Sequence, residues 1–261
     1  MRRRRRVRCY GAAVQSLWRR AGIAGNPRLG QALRPRPRRS DPRPRFDVVR
    51  SQACTQEQML TPDYQLWAER VGEVAVPQRR QWEWFFTLQA LRQSGAIRGG
   101  SRGLGIGPEP DPIAPYTSGR GCDISRTVAV EREAVGAYDF AWSISVLDGL
   151  TTFEARLGFV RQSLDRLAPS GTAVHTLSFA LSPRIPLPRR ASGAATKRDL
   201  VRLEKLLRAD GHDIDCTFVL GDLPADRWVD RSPYSSTHLC AATPAGTVTS
   251  YGLLIRKAGG R

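Results

Sequence analysis

Lysine is almost missing from this 261-residue chain: of 41 basic residues only Lys197, Lys205 and Lys257 are lysine. Histidine is equally sparse. His175, His212 and His238 stand far apart, with no cysteine or acid cluster nearby, so the spacing offers no zinc site. The five cysteines, Cys9, Cys54, Cys122, Cys216 and Cys240, form no C-x-x-C pair, which excludes a zinc ribbon and a disulfide scaffold and fits a reducing, cytoplasmic setting. No run of about 18 apolar residues occurs, so no membrane span is expected. The phosphate-binding pattern G-x-x-x-x-G-K-[ST] and the nucleophile elbow G-x-S-x-G are both missing, which removes P-loop and serine-hydrolase chemistry. No internal repeat is present.

What the chain has in excess is arginine, and it is unevenly placed. Residues 1–45 hold 15 Arg against one acid, Asp41, while residues 46–261 hold 26 basic and 23 acidic residues. The net charge of +17 is therefore +14 in the first segment and +3 in the rest. The first segment, with Arg2–Arg6 and the alternating Arg/Pro of 34–45, reads as a disordered extension. Gln15, Ser16, Arg19 and Arg20 interrupt the apolar stretch a secretory signal needs, and the Arg-rich start also has the character of a transit peptide. A nucleic-acid partner is the lesser reading of this charge, because only Tyr10, Trp18 and Phe46 interleave with it.

From residue 46 the pattern is that of a folded domain. Residues 56–70 and 77–94 read as helices, the second with Trp82, Phe85, Phe86, Leu88 and Leu91 at helical spacing as a packing face. Strands are expected at 102–106, 128–130, 139–146, 172–181, 214–220 and 248–255, and helices at 153–167 and 198–210, with a Pro/Arg/Ser loop at 182–195. Alternation of strand and helix predicts an α/β sandwich on a largely parallel sheet.

The informative segment is Gly103-Leu104-Gly105-Ile106-Gly107-Pro108-Glu109-Pro110. The dinucleotide fingerprint G-x-G-x-x-G fails here, because Pro108 or Pro110 stands where the third glycine belongs. The spacing G-x-G-x-G suits a ligand without phosphates, such as S-adenosylmethionine (SAM), better than NAD; a glycine turn with no nucleotide partner is the competing reading.

Over roughly residues 51–257 the chain resembles a bacterial subfamily of class I SAM-dependent methyltransferases. The resemblance rests on Gln58-Met59, residues 64–67, the 82–91 helix, 102–107 with Glu109-Pro110, and Tyr138-Asp139-Phe140-Ala141-Trp142-Ser143. It continues through residues 163–169, Ala173-Val174-His175-Thr176, Gly211-His212, Gly221-Asp222, Pro233-Tyr234 and His238-Leu239. It implies a Rossmann-like, mostly parallel sheet with helices on both faces, SAM as methyl donor, and a small-molecule or glycan-related acceptor. On that basis residues 46–98 form N-terminal helices and 99–261 the sheet domain. Gly103, Gly105 and Gly107 would line SAM, with Gly105 admitting no side chain because the cofactor approaches there. Ser143 and Ser145 would border the pocket. His175 and His238 are the candidate catalytic groups, as bases toward the acceptor; His212 reads as a helix-end residue.

The departures are specific. Arg102 precedes the first glycine where such enzymes often carry an acid. The ribose-binding acid falls at Val128, leaving Asp123 or Glu131 as substitutes. Gly107 to Tyr138 is 31 residues, short by one strand–helix unit, and Leu147-Asp148-Gly149-Leu150 replaces a Glu-His pair. A relative that keeps the sheet and has lost turnover is therefore the alternative. Asp222, Asp226 and Asp230 read as a solvated loop, with no metal.

Overall fold

The computed structural model describes residues 43–182, 193–244 and 246–259. Residues 1–42 of the expected extension and residues 183–192 of the 182–195 loop lie outside the described residues. Among the described residues no helix is long and apolar enough to cross a membrane.

The chain enters through β1 (Gln52–Ala53) and three helices: α1 (Gln56–Met59), α2 (Pro62–Val71) and α3 (Arg79–Gln93). The single helix expected over 56–70 is two, because Thr61 turns extended before Pro62 and caps α2 through Tyr64 N–H. Gly72 ends α2 at φ 75°, a left-handed conformation that only glycine adopts cheaply. The central sheet then runs β2 (Arg102–Ile106), α4 (Ile113–Ser118), β3 (Asp123–Thr127), β4 (Tyr138–Ser143), α5 (Phe153–Arg166), β5 (Leu167–Ser182) and α6 (Lys197–Ala209). It closes with β6 (Asp213–Ile214), α7 (Pro224–Arg227), β7 (Val229–Asp230), β8 (Cys240–Thr243) and β9 (Gly246–Arg256).

The strand order is β3-β2-β4-β5-β9-β8-β7, with β1 and β6 also paired to β9. The β2–β3, β2–β4 and β4–β5 pairs are parallel, and β9 is antiparallel to β5 and β8. This is a Rossmann-like α/β sheet with helices on both faces. The order reverses between β2 and β4, so the crevice at their carboxyl ends is the topological switch point where such sheets hold ligands. The missing unit is visible: β3 is the edge strand, and ten residues with one 3₁₀ turn at Val130–Arg132 carry the chain from Thr127 to Tyr138. The strand expected at 128–130 is the link into this turn; the strand proper ends at Thr127, with Asp123 and Arg126 exposed.

Side-chain alternation along the strands builds two cores. On one face Phe140, Trp142 and Val174 pack under α3, with Trp82, Phe85 and Phe86. On the other Leu104, Ala141, Leu177, Leu253 and Ile255 pack under α5 and α6. Helix α3 is enclosed on nearly every side, so its polar residues must find partners. Gln89 takes Trp67 Nε1–H at 2.7 Å and donates to Phe46 O at 2.9 Å. Gln81 does the same for Val76 N and Val74 O.

Candidate functional site

The glycine segment is mostly strand. Gly103 and Gly105 lie inside β2, paired with Phe140 and Trp142 of β4, and the rings of those partners lie across them. A Cβ on Gly103 would stand 2.4 Å from Phe140 Cζ, and one on Gly105 2.7 Å from Trp142 Cζ2. The two rings stack at 5.9 Å and are fully buried. These two glycines are therefore sockets for a cross-strand aromatic pair, which corrects the expectation that they line a cofactor. Gly107 is different. It follows the end of β2, takes φ 136°, and donates its N–H to Thr127 O at 2.8 Å. It stands at the switch point, with Val146 Cγ2 2.9 Å from where its Cβ would be.

The loop after Gly107 is fastened from two sides. Asp111, almost wholly buried, accepts from Arg126 Nη1 at 2.8 Å and from Trp142 Nε1 at 3.1 Å, and caps α4 through Ile113 and Ala114 N–H. Arg126 also donates to Gly107 O and Glu109 O. So the residue next to the end of β3 is a guanidinium already paired with Asp111, and Glu131 stands in the 3₁₀ turn that follows the strand. Asp123 begins β3 opposite Arg102, at the amino edge, some four residues or about 13 Å from the carboxyl edge, and does not reach the crevice.

On the neighbouring strand, Ser145 follows β4 in a left-handed conformation, φ 56°, unusual for a residue with a side chain. Its N–H donates to Thr176 O and Oγ1, both at 3.1 Å, and its Oγ donates to Glu83 Oε2 at 2.8 Å. Glu83, on α3, is buried and also accepts from Ser250 Oγ. Burial raises its carboxyl above the ordinary range, against the serine bonds and the nearby Arg79 and Arg80. Arg80 spans the mouth, paired with Glu83 at 3.7 Å and with Glu109. Asp148, in the turn after β4, is held by Ser178 N–H at 2.6 Å and Ser178 Oγ at 2.7 Å; burial raises its carboxyl too.

The histidines separate sharply. His175 is fully buried on the α5 face, its Nδ1 2.8 Å from Ser143 Oγ and its Nε2 2.9 Å from Ser163 Oγ. The Ser163 hydroxyl donates to Val160 O, so it accepts from Nε2–H, and Ser143 donates to Nδ1. The imidazole is neutral, its pKa pushed down to about 3 by burial. Neither His175 nor Ser143 opens on the crevice; the pair ties β4, β5 and α5 together. His238 lies on the loop beside α3, where its carbonyl accepts Arg79 N–H at 3.1 Å. Its Nδ1 faces Ser235 O at 2.9 Å and Asp230 Oδ2 at 3.3 Å, which leaves Nε2 as its remaining nitrogen. His212 accepts Ala258 N–H at the end of α6. Among the described residues no group of His, Cys, Asp and Glu is arranged to hold a metal ion.

The structure thus gathers Gly107, Ser145, Glu83 and Arg80 at the switch point, places Asp148 and the His238 loop around α3, and puts Gly103, Gly105, Asp123, Ser143 and His175 elsewhere. Glu83 has no sequence signal of its own, because the aromatic residues around it set the pattern of α3 as a packing face.

No protein-family model matches the chain, and no curated protein matches it in sequence. Solved structures share its architecture loosely. A candidate sarcosine dimethylglycine methyltransferase from Galdieria sulphuraria aligns over 79% of this chain and 92% of its own, at 11% identity and TM-score 0.42. A SAM-dependent methyltransferase from Aquifex aeolicus aligns over 69% and 94%, at 10% identity and TM-score 0.38. The [4+2]-cyclase SpnF aligns over 81% and 100%, at 16% identity and TM-score 0.36. Likenesses this loose define neither a site nor an activity.

Proposed function

We propose that this chain is a SAM-dependent methyltransferase acting on a small-molecule acceptor, with the methyl donor in the crevice between Gly107 and Ser145. The observation that carries the reading is the switch point itself: a glycine with positive φ directly after β2 stands beside the turn after β4, where Ser145 is left-handed and Val146 follows it. The ordered resemblance of residues 51–257 supports it.

The residues present fit SAM at the methionine end. A sulfonium and an ammonium are cations, and the rim offers the carboxylate of Glu109, now paired with Arg80, with Glu83 buried behind that arginine. When bound, SAM supplies an electrophilic methyl group. The chain's part is to hold donor and acceptor in line and to exclude water. His238 is the one histidine beside this end of α3 with a nitrogen left over, and Asp230 holds its ring; that arrangement serves proton removal from an acceptor.

The ribose end fits less well, and this favours a second reading, a relative that has lost turnover. A diol held by a carboxylate gains about 1.5–3 kcal/mol per charged hydrogen bond. Arg126 and Thr127 offer none of that, so affinity should fall by one to two decades relative to a complete site, at about 1.4 kcal/mol per decade. Incubation with radiolabelled SAM and a panel of small hydroxyl, amine and carboxylate acceptors separates the two. Label in any acceptor defeats the loss of turnover; binding of SAM with no transfer to any acceptor supports it.

A further inference from the structure

Arg79 is the first residue of α3, and its guanidinium is unusually placed. Its charge is felt at Cys54, Glu83 and Asp148, yet among the described residues it forms no ion pair, and its Nη1 is enclosed without a hydrogen-bond partner. The reason is visible in the neighbours. Glu83 is committed to Ser145 and Ser250, and Asp148 to Ser178, so neither carboxylate turns to the arginine.

A second orphan donor belongs to the same region. Gln58, 1% exposed, uses Oε1 to accept Thr55 N–H at 3.0 Å and Trp82 Nε1–H at 2.7 Å, and its Nε2 has no partner. Trp82 is one turn after Arg79 on the same face of α3, and Thr55 follows Cys54. Thr55 Oγ1 is likewise enclosed and unpaired. Among the described residues five buried side-chain atoms lack a partner, and three of them belong to Thr55 and Gln58 at the start of α1 and to Arg79 at the start of α3, two helices joined by the Gln58–Trp82 bond. Two are pure donors, and a buried donor left without an acceptor is destabilising. What this corner wants is an acceptor with negative charge.

We infer that Arg79 and Gln58, with Thr55 beside them, form a subsite for a small anionic group, a carboxylate or phosphate carried by the acceptor. Arg79 is only part-buried, so the group enters from solvent beside the His238 loop, whose carbonyl fixes Arg79 N–H. The identity of the ligand as a methyl acceptor rests on the methyl-transfer reading; the anion subsite itself does not.

The test uses the full chain without SAM, so that failure of the subsite and failure of the cofactor reading are seen apart. Sodium malonate and inorganic phosphate are titrated separately at low ionic strength, with Trp82 and Trp84 fluorescence and calorimetry as readouts. Saturable one-site binding in the millimolar range is expected for at least one probe, and which probe binds tells carboxylate from phosphate. Arg79→Gln should weaken it at least tenfold. Gln58→Glu keeps the acceptor used by Thr55 and Trp82 but turns the orphan donor into a repelling oxygen, and should also weaken it at least tenfold. Circular dichroism confirms that each variant is folded. If neither probe saturates, or wild type and folded Arg79→Gln bind alike, the inference is wrong.

Discussion

Gly105→Ala distinguishes a glycine that makes room for a ring from one that makes room for a ligand. The added methyl would lie 2.7 Å from Trp142 Cζ2 and 3.2 Å from Cε2 and Cη2, well inside van der Waals contact. Trp142 cannot swing away, because Nε1 is bonded to Asp111 and the ring stacks on Phe140 in a filled core. Overpacking of this kind costs about 1–3 kcal/mol. Gly105 has no positive φ, so alanine also recovers about 0.4–1 kcal/mol through the unfolded chain. The net expectation is a loss of roughly 1–2 kcal/mol, or a Tm lower by about 2–8 °C for a domain of this size. Gly103→Ala should cost more, since Phe140 and Ile124 both crowd it. Pairing Gly105→Ala with Trp142→Phe should recover about 1 kcal/mol or more relative to the sum of the single changes. SAM affinity should be unchanged. A Tm within 1 °C of wild type, together with a tenfold loss of SAM affinity, would refute the socket and return Gly105 to the cofactor.

Three further outcomes follow from the same contacts. His175 is neutral in the folded state and its unfolded pKa is about 6.5, so the unfolded chain binds the extra proton between those values. Stability is full above pH 6.5 and falls as pH drops toward 3, by about 1.4 kcal/mol per unit, or roughly 2 kcal/mol by pH 5; urea titrations of wild type and His175→Gln should show that slope only in wild type, and parallel slopes would contradict it. Asp111→Ala strips Arg126, Trp142 and the start of α4 of their shared acceptor, and should cost about 2–4 kcal/mol by thermal unfolding; a loss under 0.5 kcal/mol would mean the loop is not fastened there. Arg80→Met removes the cation that shares Glu83 and Glu109, so SAM, itself a cation, should bind a few-fold tighter by calorimetry, and weaker binding would show that Arg80 serves the ligand directly.

Much of this fold is written in periodicity. Leu200, Leu203 and Leu207 mark α6 because they line its one buried face, and the apolar, aromatic run over residues 139–146 marks β4, a central strand buried on both faces. The short β6, β7 and β8 carry too few residues for any period. β3 misled the reading for a physical reason: as an edge strand it buries little, and Asp-Ile-Ser-Arg-Thr holds a single apolar residue. The glycines carried two signals at once. Alternation at period two inside a strand is what a row of sockets needs, and Phe140 and Trp142 alternate in step on the partner strand; only the pairing of β2 with β4 shows that the two patterns meet. Glu83 carries no pattern of its own: it stands between Trp82 and Trp84 in a helix whose aromatic residues set the periodicity. Its partners, Ser145 and Ser250, are 62 and 167 residues away in sequence.

The central claim is that the crevice beside Gly107 and Ser145 takes SAM, and calorimetric titration of the full chain with SAM tests it directly. One-to-one saturation is expected, with Kd from about 10 μM to 1 mM, weak because Arg126 stands near the end of β3, and with the affinity lost at least tenfold in Gly107→Val and kept in Gly105→Ala. No saturation at millimolar SAM, with the protein shown to be folded, would contradict it.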